Sequence, residues 1–164
     1  MVQVRIMRYI YRMNKIDLRH LAGHGKDFAL WSAEQAELLR RGRLDRVDVE
    51  NLAEEIESVG NSERYEIDSR MEVLLQHLLK WQFQPEKRKR GWKASIAEQR
   101  IRIARVIKRS PSLRDYPAEN LDGSFVIARN AAITETDLPE TALPEACPYT
   151  IAQILDPAFL PGGR

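Results

Sequence analysis

Cysteine occurs once in the 164 residues, at Cys147, so no disulfide can form within the chain. A small, stapled extracellular scaffold is therefore excluded, and a reducing compartment suits the chain. Long apolar runs are missing too: none approaches the ~20 residues of a membrane span. No stretch alternates apolar and polar residues as a half-buried strand would, and there is no internal repeat. The sequence has no GxSxG elbow, no P-loop and no GxGxxG turn, the common marks of serine hydrolases and of nucleotide binding. These absences point to a soluble, cytoplasmic, all-α protein with no cofactor.

Charge is plentiful, at 30% of residues, but the signs nearly cancel at +2. The 43% apolar content is ordinary for a globular chain, and the length fits one domain with one core. The charge is unevenly placed. Residues 1–26 carry six Lys/Arg against Asp17 alone, and residues 86–114 carry eleven against Glu86 and Glu98. The first stretch has no clean period, and Arg5, Arg8 and Arg12 interrupt any signal-peptide apolar region. Residues 1–26 read as a basic arm, mobile or ordered on contact, or as sequence upstream of a later start at Met7 or Met13. Residues 27–164 read as a single helical domain.

Asp27 is placed to cap a helix over 28–41 that Gly42 ends, with Phe28, Trp31, Leu38 and Leu39 as its apolar set. Asp48 is placed to cap the next. From there Leu52, Ile56, Val59, Ile67, Met71, Leu74, Leu78 and Trp81 recur in helical phase up to Pro85. Gly60-Asn61 lies inside that phase, so the pattern predicts either one long helix or two that break there. The doublets Leu74-Leu75 and Leu78-Leu79 place 70–83 at the centre of a bundle. Helices are predicted over 92–109, ended by Ser110-Pro111, and over 119–136. Five of the eight prolines fall at 139, 144, 148, 157 and 161, so the C-terminus reads as an extended strap with a short helix near 150–155. The expected fold is an irregular bundle of four to five helices with this strap across it.

The motifs ENLAEEIES (50–58), NSER (61–64), HLLKW (77–81), QP (84–85), QR (99–100), SPSL (110–113), ET (135–136), CPY (147–149) and LP (160–161) stand in order along the chain. Together they resemble the bacterial family catalogued as domain of unknown function 29, over about 27–161. The resemblance implies a small helical protein, cytosolic in appearance, with no assigned activity, cofactor or catalytic residue. The basic arm departs from the family pattern.

Two constellations merit structural tests. Glu63, Arg70 and His77 are seven apart and share the apolar face of their helix with only about 20° of drift per step. Arg100 sits among Ile96, Ile103 and Ile107 on the next helix. Core-facing charge needs partners, so this polar seam predicts ion-pair networks, with Glu55 or Glu66 as partners. The competing reading is an interhelical pocket where His77 titrates near neutral pH and arginines hold an anion. The second constellation is a basic band. Lys87, Arg88, Lys89 and Arg90 form a tetrabasic turn beside Trp81, Phe83 and Trp92, and Arg102, Arg105 and Arg109 follow on the outward side of the next helix. Such a band neutralises phosphates or pairs with the acidic 50–57 helix.

Metal binding has little support. Glu50, Glu54 and Glu57 share a face, but no Glu-x-x-His pair accompanies them, and His20 and His24 flank glycines. Cys147 precedes Pro148 with no His beside it and reads as a packed thiol. The sequence therefore leans away from an enzyme. It points to an interaction module binding a protein partner or its own copy, with a nucleic-acid binder as the alternative and an enzyme at His77, Arg70 and Arg100 as a third class.

Overall fold

The computed structural model describes residues 17–136 and 138–162. Among them are six α-helices and no strand. They are α1 (Phe28–Arg40), α2 (Val49–Phe83), α3 (Arg90–Arg109), α4 (Tyr116–Glu119), α5 (Leu121–Thr136) and α6 (Ile151–Leu155), so the fold is all-α. Short 3-10 turns at Leu44–Arg46, Pro85–Lys87, Pro111–Leu113 and Glu140–Ala142 join or follow them. No helix among the described residues is long and apolar enough to cross a membrane.

The caps explain the boundaries. Asp27 accepts a hydrogen bond from the Leu30 N–H at 3.0 Å and starts α1. Gly42 takes φ +68°, a left-handed conformation that stops it. Asp48 accepts from the Asn51 backbone N–H and side-chain amide at the start of α2. That helix runs unbroken through Gly60 and stops before Pro85, which answers the question left open by the Gly60-Asn61 pair. The helix expected over 119–136 begins earlier and is interrupted: α4 holds 116–119, and a turn at Asn120 separates it from α5.

Two compact units divide at Val59 and Gly60. In the first, the buried residues are Trp31, Leu38, Glu34 and Gln35. The buried Glu34 carboxylate accepts from the Ala22 N–H at 2.7 Å, and Arg46 donates to the Leu18 carbonyl at 2.5 Å. Residues 17–26, assigned by composition to the basic arm, are thus held by side chains of this unit; residues 1–16 of that arm lie outside the described residues. Several apolar residues expected in the core are exposed instead. Phe28 and Leu39 of α1, and Ile56 and Val59 of α2, all face solvent.

In the second unit, Ile67, Met71, Leu74, Leu75, Leu78 and Leu79 of α2 are fully buried. Ile96, Ile103 and Val106 of α3 and Phe125, Ala128 and Ala132 of α5 join them in one core. The strap contributes Leu143, Tyr149 and Ile154 to the same core. A capping box starts α6: Thr150 accepts from the Gln153 N–H, and the Gln153 side chain accepts from the Thr150 N–H. Burying these strap side chains is what holds a proline-rich tail that has few backbone hydrogen bonds of its own.

Candidate functional site

The polar seam does not form a single ion-pair network. Glu63 takes a hydrogen bond from Arg109 Nε at 2.6 Å. The Ser110 hydroxyl, and then Arg109, hold its carboxyl below the ordinary range. Arg70 has only a long contact of 3.8 Å to Glu66, one turn before it, and its buried Nε lacks a partner among the described residues. His77 is half-buried. Its Nδ1 lies 2.8 Å from the Val73 carbonyl, and a carbonyl can only accept, so Nδ1 carries the ring proton. Burial pulls the pKa of His77 below the ordinary value, outweighing the hydrogen bond to Val73, which acts the other way. Burial therefore favours the neutral imidazole over the charged one.

Arg100 is only 6% exposed, and its partners are main-chain oxygens rather than carboxylates. Nε donates to the Ile154 carbonyl at 2.7 Å, and Nη2 to the Phe159 carbonyl at 2.9 Å. The expected ion pair is replaced because Ile154 lies in the last turn of α6, whose final carbonyls have no donor within the helix, and Phe159 lies in the extended chain beyond it. Periodicity places Arg100 in the core but carries no information on a tail that is not periodic. The expectation of Glu55 as a seam partner also changes, since His24 shares a 2.8 Å hydrogen bond with Glu55.

The basic band divides three ways. Arg102 pairs with Glu98, and Arg109 with Glu63 and Glu66, so these two are largely neutralised. Arg88 donates to the Trp81 carbonyl at 2.8 Å with its guanidinium over the Trp81 ring, and the Lys89 ammonium lies 5.5 Å from the Trp92 ring centre. Lys87, Arg90 and Arg105 are exposed.

Two clusters carry chemistry that sequence patterns did not isolate. Lys80 is 5% exposed, lies 5.2 Å from the Trp92 ring centre and pairs with Glu135. The aliphatic sequence around it hid this residue; its position on the buried face was the only signal. In the first unit, the His24 ring packs edge-on against Trp31 and Phe28, at 4.6 and 5.5 Å between centres. Trp31 Nε1 donates to Asp48 at 3.2 Å, and the Asp48 N–H donates to Gln35. Asp48 thus caps α2 and also ties it to α1.

The match to known proteins follows this geometry. A family described as Domain of unknown function DUF29 matches residues 24–160. The chain belongs to that family. No curated protein and no solved structure matches it. The DUF29 match begins at His24, whose ring packs on Trp31, and takes in all six helices and the strap to Leu160, including Arg100 and both carbonyls it binds. It leaves out residues 1–23.

Proposed function

We propose that this protein is a non-enzymatic interaction module whose docking face is the first part of α2. The observation that carries this reading is the exposure of Val49 and Ile56, at 67% and 65%, on a helix whose later turns bury Ile67, Met71, Leu74 and Leu78. Val49, Leu52 and Ile56 follow heptad spacing and so fall on one stripe. Glu50, Glu54 and Glu57 are exposed around it. Apolar side chains left in water on a helix of this kind fit a partner helix.

The charge pattern selects the partner. A second copy of the same helix would set glutamates against glutamates, whereas a basic amphipathic segment of another protein would complement both the stripe and its borders. The test is fluorescence anisotropy with an amphipathic Lys/Leu helical peptide and its Glu/Leu counterpart. The basic peptide should bind, the acidic one should not, and Ile56→Asp should weaken binding at least ten-fold without lowering Tm. Equal binding of both peptides, or no effect of Ile56→Asp, overturns the reading. Concentration-dependent dimers abolished by Ile56→Asp would replace the partner with a second copy.

A nucleic-acid role is the weaker reading. It rests on the exposure of Lys87, Arg90 and Arg105. Salt-sensitive DNA or RNA binding, lost when residues 87–90 are neutralised, would put it first.

A further inference from the structure

A cavity of about 480 Å³ opens beside the C-terminal half of α3. This is within the ~300–1,000 Å³ range of small-molecule sites. Arg100, Ile103, Ala104, Ile107 and Lys108 lie on one face of α3 and form one wall. Pro111 and Arg114 close the end, and Leu155 of α6 faces it from the strap. The lining is therefore an apolar slot edged by three cations, with no carboxylate in it.

On the same helix, Arg102 and Arg109 each have a glutamate partner. No ion pair reaches Lys108 or Arg114 among the described residues. Arg100 directs Nε and Nη2 at carbonyls, which bring no negative charge. Asp156, exposed and outside the lining, acts on Arg100 only through its field. A guanidinium this buried is costly without compensating charge, and an anion in the cavity would supply it.

We propose that this cavity binds a small amphipathic anion, a carboxylate on an apolar body. The head lies among Arg100, Lys108 and Arg114, and the body lies along Ile103, Ile107 and Leu155. Neither a bare inorganic anion nor a neutral hydrocarbon matches both halves of the lining. The proposal is independent of the α2 docking face, because it uses no residue of that stripe.

Isothermal titration of the full chain with decanoate, 1-decanol and inorganic phosphate, each below any aggregation threshold, tests it. Decanoate should bind at one per chain, and the alcohol and the phosphate at least ten-fold more weakly. Lys108→Gln and Arg114→Gln alter exposed side chains, so the fold should persist, and each should weaken decanoate about ten-fold. Ala104→Trp should fill the slot and abolish binding. If decanoate fails to bind, or the alcohol or phosphate binds as well as decanoate, the assignment falls. Binding that survives Ala104→Trp, or that neither charge change weakens, also overturns it.

Discussion

Arg100 of α3 donates Nε to the main-chain oxygen of Ile154, 54 residues further along the chain, at 2.7 Å. With its second bond to the Phe159 carbonyl, it clips the strap to the bundle on both sides of the Pro157-Ala158 turn. The clip works because a guanidinium is a rigid fork that reaches two acceptors at once. Arg100→Met should lower stability by about 2–4 kcal/mol, since it removes both bonds and strands two carbonyls. Arg100→Lys should recover less than half of that. Denaturant unfolding of the three proteins checks it, and full recovery by lysine would show that charge alone is needed.

Lys80 sits in a different bind, since its ammonium is buried while its partner Glu135 is half in water. Hydrogen bonding to Lys80 holds the Glu135 carboxyl below its ordinary range, ahead of the opposing effect of burial. Glu135→Gln should therefore cost about 1–2 kcal/mol, because it leaves a buried cation without its counter-charge. Lys80→Met should cost less, as the freed carboxylate is already exposed. The reverse order in thermal or urea melts would contradict this account.

Gly42 and Gly60, on either side of the first turns of α2, predict opposite outcomes. Gly60 lies inside α2, where an added Cβ would meet nothing within 4 Å. Gly60→Ala should thus stabilise by about 0.5–1 kcal/mol through helix propensity. Gly42, at φ +68°, should lose about 1 kcal/mol on the same change, as a Cβ is strained there. Failure of Gly60→Ala to stabilise would argue against a helix continuous through that point.

His77 makes stability depend on pH. Burial depresses its folded-state pKa below the unfolded value of about 6.5. The unfolded chain therefore binds the proton more readily. The stability His77 provides is full above about pH 7 and is lost as pH falls through 6.5 toward the folded-state pKa. His77→Gln should flatten Tm against pH between pH 7 and 5 relative to the parent. Parallel curves would show that His77 does not titrate in that window.

Helix existence was readable because it depends on local patterns. Asp27, Gly42, Asp48 and Pro85 act within a turn of themselves, and the leucine doublets of 70–83 can only be buried. What the pattern of α2 misjudged is where burial stops. Ile56 and Val59 keep helical phase with Ile67 and Met71, yet they are exposed, because a period states which face a residue occupies and not whether another element covers that face. Membership of the DUF29 family was legible in the same motifs, since these are local too.

Partnership was decided by tertiary structure alone. The sequence by itself determined an all-α chain, the caps and stops at Asp27, Gly42, Asp48 and Pro85, a buried centre at 70–83 and the placing of Arg100 among isoleucines. It could not tell that Arg100 binds carbonyls, that Glu63 meets Arg109 or that Lys80 finds Trp92 and Glu135. Each of those pairings joins residues that are distant in sequence, across a strap or turn that has no period. Helical geometry sets direction within one element, whereas a hydrogen bond between elements depends on how they pack.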